Sequence, residues 1–204
     1  MVIGLTGKTG SGKTTVSSLL KEKGFYIIDG DKIAREITLA GSPVLIKLQN
    51  AFGEDILGED GTLNRKLLSF RAFSSRENTE KLNNITHPAI RKIIAAEISK
   101  AQIAGYDGII VDAAALLDSD CKDDCEYIAV VHAPEDIRLT RIMARDNLDR
   151  TTAKIRMNAQ KSDDFYLSHA DIILTNDAHH HLQDEIEKFI KFFADRKDTR
   201  CEKK

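Results

Sequence analysis

The sequence predicts an α/β fold in which a five-stranded parallel sheet lies between two layers of helices, forming a three-layer α/β/α sandwich. Two observations support this prediction. Five short apolar runs alternate along the chain with stretches of helical periodicity, as expected for parallel strands joined by helical crossovers. The first run also leads through a glycine-rich turn directly into a helix. The expected strands cover residues 2–6, 25–28, 108–112, 127–132 and 171–174.

The glycine-rich turn after the first strand reads Gly7-Lys8-Thr9-Gly10-Ser11-Gly12-Lys13-Thr14 and fits the phosphate-loop pattern G-x-x-x-x-G-K-[ST] at every position. Glycines let backbone N–H groups curl around phosphate oxygens, and the helix N-terminus adds a favourable dipole. We expect Lys13 to bridge the β- and γ-phosphates of ATP and Thr14 to offer its hydroxyl to Mg²⁺. A ligand-free glycine turn is the alternative, but it has no need of Lys followed by Thr. The expected fold is therefore that of a P-loop NTPase.

The length and charge of the chain limit its possible functions. Its 204 residues suit one α/β domain with an inserted subdomain. The formal net charge of −2 gives no overall attraction to nucleic acid or to an anionic membrane. No apolar run approaches the roughly 20 residues of a membrane span, and the N-terminus lacks a signal-peptide pattern. We expect a cytoplasmic protein, monomeric or weakly homo-oligomeric, without nucleic-acid or membrane partners.

The three cysteines predict neither a disulfide framework nor a metal site. Cys121, Cys125 and Cys201 are odd in number, which is consistent with a reducing compartment. A zinc site at Cys121 and Cys125 would need two more ligands, and the candidates, the three adjacent histidines at 179–181, point in different directions. A polar loop and a solvated helix end are the favoured interpretations.

Two segments depart from the alternation of strands and helices. Residues 31–104 carry apolar side chains at three- and four-residue spacings and no convincing strand, which predicts an inserted helical subdomain. Within it, Pro88 is expected to divide two helices at His87. Residues 146–167 are polar and basic and follow an arginine-rich helix, so we interpret them as a lid. The predicted organisation is one domain over residues 1–204 with these two additions.

Two carboxylates, Asp29 and Asp31, follow the second strand, which we expect to lie next to the phosphate-loop strand at the edge where α/β sheets bind ligands. Phosphoryl transfer to a hydroxyl needs a group that accepts the hydroxyl proton, and Asp31 is the candidate base. The alternative is a helix cap, which we expect for one of the two in any case. Asp112 ends the third strand; a role in orienting Mg²⁺ and a strand-end turn or cap both stay open.

Three arginines, Arg138, Arg141 and Arg145, are spaced three and four residues apart and therefore lie within an arc of about 60° on one helix face. A guanidinium fork matches phosphate oxygens, so beside a phosphate loop we favour a γ-phosphate clamp at Arg141 over an ordinary solvated basic face. The expected nucleotide contacts are Lys8, Thr9, Gly10, Ser11, Gly12, Lys13, Thr14, Thr15 and Arg145.

Four further motifs follow the phosphate loop along the chain, in this order: Ile28-Asp29-Gly30-Asp31-Lys32-Ile33-Ala34-Arg35, Gly61-Thr62-Leu63-Asn64-Arg65, Thr86-His87-Pro88-Ala89-Ile90-Arg91 and Ala159-Gln160. With the phosphate loop, they make the chain resemble the dephospho-CoA kinase family over nearly its whole length. The resemblance implies transfer of the ATP γ-phosphate to the ribose 3′-hydroxyl of dephospho-CoA with Mg²⁺, giving CoA and ADP in the final step of coenzyme A biosynthesis.

The resemblance also implies roles for individual residues. Asp31 stands at the family's proposed base, Lys13 and Thr14 at its phosphate and Mg²⁺ positions, and Arg141 at its lid-side arginine. The insertion at 31–104 would bind the acceptor. The candidate acceptor-site or supporting residues are Thr6, Arg35, His87 and Arg91.

The chain departs from the family pattern at three places, namely Lys8-Thr9 in the phosphate loop, Ala113-Ala114-Ala115 after the third strand, and Thr175-Asn176-Asp177-Ala178 near the last strand. None of them removes a group that the chemistry requires. Two other functions share the nucleotide-side argument. One is a kinase for another small acceptor, such as a nucleoside monophosphate or a sugar acid. The other is a nucleotide-dependent switch or RNA-binding regulator without an acceptor, which the balanced charge disfavours.

Overall fold

The structure, a computed structural model, describes the backbone of residues 1–201 and the side chains of residues 1–198, so the Cys201 side chain lies outside the described residues. The strands are β1 (Val2–Thr6), β2 (Tyr26–Asp29), β3 (Ile109–Asp112), β4 (Tyr127–His132) and β5 (Ile172–Thr175). The helices are α1 (Lys13–Glu22), α2 (Gly30–Glu36), α3 (Pro43–Phe52), α4 (Arg65–Ala72), α5 (Arg76–Ile103), α6 (Glu135–Asp146), α7 (Arg150–Asn158), α8 (Asp163–Ser168) and α9 (Leu182–Cys201).

The five strands form one parallel sheet in the order β2-β3-β1-β4-β5. Strand β1 pairs in parallel with β3 on one side and with β4 on the other, and β5 pairs with β4. The predicted strands are confirmed, with ends that differ by at most one residue. The expectation that the second strand lies next to β1 is wrong, because β3 occupies that position. The connection from β1 through α1 to β2 passes over the position of β3. A helical crossover is long enough for this, whereas a short hairpin joins only neighbouring strands.

Helices cover both faces of the sheet. Val131 of β4 packs into a core with residues of α1 and α9, including Leu20 and Phe189. Its neighbour Val130 packs into a different cluster with Tyr166 of α8. Because successive residues of a strand point to opposite faces, these two clusters lie on opposite sides of the sheet. The predicted three-layer α/β/α sandwich is therefore confirmed.

Residues 29–97 form a second compact unit, distinct from the sheet unit built by residues 1–28 and the described residues from 98 onward. Its helices begin at recognisable caps. The Ser42 side chain accepts from Leu45 N ahead of Pro43, and the Asn64 side chain accepts from Leu67 N. The unit has its own apolar core, formed by Leu48, Phe52, Ile56, Leu68 and Ala72. The limits 31–104 and the acceptor-binding role stay predictions.

Helix α5 runs from Arg76 to Ile103 with Pro88 inside it, so the predicted division at His87 is wrong. Proline removes one backbone hydrogen bond and disfavours a helix interior by about 3 kcal/mol. The 28-residue helix carries buried apolar residues after the proline, such as Ile94, and Leu82 and Ile85 pack before it. Packing on both sides of one lost hydrogen bond keeps the helix continuous.

The segment interpreted as a lid, residues 146–167, is mostly helical. Helix α7 packs on α6, with Ala153 and Met157 buried against Leu139 and Ile142. The Arg156 guanidinium donates to Asp146 Oδ2 at 2.6 Å and ties the same two helices at the surface. Its role as a lid stays a prediction. Among the described residues, no helix is long and apolar enough to cross a membrane.

Candidate active site

The phosphate loop lies between the end of β1 and the start of α1, and its glycines have conformations that other residues would strain. Gly10 and Gly12 have φ angles of 80° and 93°, in the left-handed region. A Cβ on Gly12 would lie 1.9 Å from Asn176 Nδ2. The loop therefore needs glycine at both positions for its backbone conformation, and at Gly12 also for the close approach of Asn176.

The loop lysine contacts an acidic strand end. Lys13 begins α1, and its Nζ forms an ion pair with Asp112 Oδ1. Strand register explains the contact, because Asp112 is paired with Leu5 of β1, just before the loop. Both side chains are largely buried, at 14% and 9% exposure. The 3₁₀ turn after β3, Leu116–Asp118, has no side-chain cap, so the cap interpretation of Asp112 finds no support there.

The oxygen atoms of Thr14 on α1 and of Asp112 at the end of β3 are of the kind that binds a magnesium ion. Thr14 is exposed directly after Lys13, and Lys13 contacts the Asp112 carboxylate. Mg²⁺ prefers hard oxygen ligands and usually binds through one or two protein groups together with waters and substrate phosphates. The described residues hold no cluster of three or more His, Cys, Asp or Glu that could bind a metal by themselves. This donor set suits an ion that arrives with a nucleotide.

The three arginines of α6 share a helix face, but their guanidinium groups contact different partners. Arg138 is buried and donates to Ala133 O at 2.9 Å. Arg145 forms a bidentate contact with Asp146 at 2.8 Å, which lowers the pKa of that carboxyl. Of the three guanidinium groups, that of Arg141 contacts the backbone of the phosphate loop. The γ-phosphate clamp at Arg141 and the nucleotide contact at Arg145 stay predictions.

Arg141 is held by backbone and side-chain oxygens. Its Nη1 lies 3.3 Å from the carbonyl oxygens of Gly10 and Ser11 and 3.2 Å from that of Asn176, and its Nη2 lies 3.2 Å from Asn176 Oδ1. Asn176 Nδ2 in turn donates to Ser11 O at 2.8 Å. Arg141 and Asn176 together therefore hold the carbonyl groups of Gly10 and Ser11 in the phosphate loop.

We expect Arg141→Lys to raise the Kd of ATP about tenfold, because one ammonium cannot replace a fork that bonds to four oxygens. Calorimetric titration with ATP measures this effect. The matched control is Arg76→Lys, which changes an exposed arginine whose Nε donates to Glu80 Oε1 on α5. Unchanged ATP affinity and turnover in Arg141→Lys and Arg141→Ala would exclude a role for Arg141 at the nucleotide.

The predicted base belongs to the helical unit and follows a helix cap. Asp29 caps α2, since its Oδ1 accepts from Lys32 N at 2.8 Å. Asp31 is the second residue of that helix and is half-buried. The capping role expected for one of the two carboxylates is therefore filled by Asp29, and the role of Asp31 as a base stays a prediction.

The four candidate acceptor residues lie in both units. In the sheet unit, Thr6 is fully buried and its hydroxyl donates to Ala114 O at 3.2 Å, so its side chain supports the loop after β3. In the helical unit, Arg35 is exposed near the end of α2. His87 and Arg91 are four residues apart in α5 and therefore share a face of that helix. Their acceptor-binding roles stay predictions.

Sequence reasoning missed several residues that contact the predicted site. Asn176 holds the loop carbonyls, and Gln160 and Asp163 contact residues 9 and 8. In the helical unit, Arg65 donates to the carbonyl oxygen of Arg35 at 3.3 Å. Asn176 directly follows β5, at the ligand-binding edge, and that position was a usable signal. Gln160 and Arg65 stand in the motifs quoted above, but the residues that these side chains and Asp163 contact are distant in sequence, so local spacing does not reveal the contacts.

The structure describes the side chains of two cysteines, and no disulfide joins Cys121 to Cys125. Burial, assisted by the nearby Asp124 carboxylate, raises the pKa of the Cys125 thiol to about 12. A metal binds the thiolate form, so this environment disfavours coordination at neutral pH.

Comparison with known proteins gives one consistent result. The family model described as dephospho-CoA kinase matches residues 1–181. The dephospho-CoA kinase of Corynebacterium efficiens is 44% identical over 174 residues, which are 85% of this chain and 87% of the relative.

Solved structures agree with the sequence relatives. TT1252 from Thermus thermophilus superposes with a TM-score of 0.80 at 27% identity, covering 96% of this chain and 97% of the other. The dephospho-CoA kinase from Campylobacter jejuni gives a TM-score of 0.67 at 27% identity, covering 93% and 95%. With a phosphate loop formed at the edge of a parallel sheet and a family model that spans most of its length, this chain belongs to the dephospho-CoA kinase family.

Proposed function

We propose that this protein transfers the γ-phosphate of ATP to the ribose 3′-hydroxyl of dephospho-CoA, forming CoA and ADP. The observation that supports the proposal is the phosphate loop, in which Lys13 is held at the head of α1 beside Asp112, in a chain that belongs to the dephospho-CoA kinase family. Lys13 stabilises the charge on the transferred phosphoryl group, and the loop N–H groups bind the neighbouring oxygens.

The remaining steps use residues whose roles are proposals. Asp31 accepts the proton of the 3′-hydroxyl as the new O–P bond forms and the bond to the ADP oxygen breaks. Arg141 holds the loop in the shape that presents its N–H groups. Thr14 and Asp112 would hold Mg²⁺, which neutralises charge on the β- and γ-phosphates when it is bound.

A cavity inside the helical unit supports acceptor binding there. Its volume is about 170 Å³, and aliphatic side chains line most of it, namely Ala34, Ile37, Leu48, Leu63, Leu68, Leu82 and Ile90. Thr38, Ser69, Thr86 and Arg65 add polar atoms. A pocket with this balance suits a neutral group that combines aliphatic surface with several hydrogen-bonding groups, as the amides and hydroxyl of pantetheine do. We propose that the pantetheine arm of dephospho-CoA occupies it.

Ala34→Phe tests this placement by filling the cavity from α2. We expect the KM for dephospho-CoA to rise about tenfold, because a lost apolar contact surface of this kind is worth roughly 1–3 kcal/mol. The inhibition constant of AMP, which has the ribose but no pantetheine arm, should stay unchanged. Ala96→Phe, at an exposed position of α5, is the control. Equal weakening of dephospho-CoA and AMP would contradict the placement.

The proposed activity competes with phosphorylation of other small acceptors. The direct test compares turnover of dephospho-CoA with that of adenosine, nucleoside monophosphates and gluconate, and identifies the phosphorylated position by NMR. Comparable turnover of all acceptors, or turnover of none, would refute the specific function. ATP hydrolysis independent of any acceptor would favour a nucleotide-dependent switch.

We also propose a cytoplasmic location and a monomeric or weakly homo-oligomeric state. Cys121 and Cys125 are not joined by a disulfide, which is consistent with a reducing compartment. Cell fractionation and sedimentation analysis test the two statements.

A further inference from the structure

The lid segment contacts the phosphate loop at two consecutive residues. Lys8 Nζ lies 3.1 Å from Asp163 Oδ1, and the Thr9 N–H donates to Gln160 Oε1 at 2.8 Å. Gln160 lies in the turn between α7 and α8, and Asp163 is the first residue of α8. These two contacts fasten that turn to the first half of the phosphate loop.

The Asp163 carboxylate is shared by two cations. Besides Lys8, it receives Arg138 Nη2, which lies 3.4 Å from each of its oxygens. The Lys8 and Arg138 side chains are only 13% and 2% exposed, whereas Asp163 is 39% exposed. A carboxylate between two nearly buried cations differs from an ordinary surface ion pair, because its removal leaves two like charges together with little water around them.

A small cavity adjoins the same three side chains. Its volume is about 10 Å³, enough for one water molecule, and Ser11 of the phosphate loop also lines it. Ser11 Oγ and Arg138 Nη1 are buried without a hydrogen-bond partner, and both belong to this lining. One water molecule bonded to both atoms would satisfy them and join the loop to Arg138 a second time.

We propose that Lys8, Asp163 and Arg138 form a latch between the phosphate loop and the lid segment, with Asp163 as its positioning residue. The cation of Lys8 is bound by Asp163 in this structure, and this contact holds the loop in place. The predicted contact of Lys8 with the nucleotide stays a prediction. A loop fixed in advance loses less conformational freedom when it binds a ligand. The latch therefore lowers the Kd of ATP.

The test measures ATP binding by calorimetry and kcat with saturating ATP in Lys8→Met, Asp163→Asn and the double variant. We expect each single variant to raise the Kd of ATP about tenfold and to change kcat less than about twofold. The double variant should bind no more weakly than Asp163→Asn alone, because Asp163→Asn already breaks the contact with Lys8 together with the one with Arg138. Lys8→Arg should bind ATP nearly as the unchanged chain does, since it keeps the cation.

The control is Lys161→Met, which removes an exposed cation from the same turn, where Lys161 lies 5.6 Å from the Phe165 ring centroid. Its ATP affinity should stay unchanged. Hydrogen exchange of the amides of residues 8–12 gives an independent readout and should become faster in Lys8→Met and Asp163→Asn but not in Lys161→Met. Strictly additive effects on Kd, equal effects in the control, or failure of Lys8→Arg to retain affinity would overturn the latch.

The latch rests on the proposed function only in assuming that the loop binds ATP. If Asp163→Asn does not fold, Lys8→Met leaves Asp163 paired with Arg138. Hydrogen exchange of residues 8–12 in Lys8→Met without ATP then decides the question, and unchanged exchange or unchanged ATP affinity overturns the proposal. ATP titration requires no acceptor. A chain that binds ATP but does not phosphorylate dephospho-CoA would therefore refute the proposed function and leave the latch standing.

Discussion

Lys13→Met is expected to lower kcat by about 10³-fold, the upper range for loss of one positioned donor that stabilises transition-state charge. The Lys13 ammonium is the cation fixed at the head of α1, where the helix dipole already favours an anion. Methionine keeps the length of the side chain and removes the charge. Single-turnover measurement of phosphoryl transfer isolates this effect from product release.

The same substitution has a second consequence, because it leaves Asp112 as a nearly buried carboxylate without its lysine. Breaking one side of a buried ion pair destabilises a protein by roughly 3–5 kcal/mol. The double variant Lys13→Met with Asp112→Asn separates the two consequences when it is compared with Asp112→Asn alone, because Asp112 is itself proposed to hold Mg²⁺. It should regain most of the thermal stability and stay far less active than Asp112→Asn. If stability and activity returned together, the catalytic role of Lys13 would be wrong and its role would be structural.

The phosphate loop and the strands could be predicted because their signals are local. Eight consecutive residues define the loop, and each strand is a short apolar run bounded by turn residues. The order of the strands has no local signal. Whether β2 or β3 lies beside β1 depends on which pairing buries both faces of the sheet best. Because β3 has that position, Asp112 and not Asp29 is in register with the strand before the phosphate loop.

The contacts of the candidate site were less predictable for the same reason. Helical spacing correctly placed three arginines on one face of α6, but their partners come from segments far along the chain, such as Asp163 and Asn176. Composition also does not specify whether a proline ends a helix. Pro88 lies inside α5 because packed apolar residues on both sides outweigh one missing hydrogen bond.

Asp31→Asn is expected to lower kcat by about 10²- to 10⁴-fold, the range for loss of a general base, and to leave the Kd of ATP unchanged. Asparagine keeps the shape of the side chain and cannot take the proton of the acceptor hydroxyl. Rapid-quench measurement of CoA formation at saturating ATP and dephospho-CoA gives the rate, and calorimetry gives the ATP affinity.

Asp29→Asn is the matched control, because the same charge is lost two residues away while the helix cap is kept. Asn ranks with Asp as an N-cap, so its side chain can still accept from Lys32 N as Asp29 does. A large loss in Asp31→Asn with a small loss in Asp29→Asn would assign the proton transfer to Asp31. Similar losses in both variants would mean that the local negative charge matters and that neither carboxylate acts as the base. Near-normal turnover in Asp31→Asn would show that Asp31 is not the base. Phosphoryl transfer would then proceed without one, because a loose transition state depends mainly on positioning and charge stabilisation, which Lys13 and the phosphate loop provide.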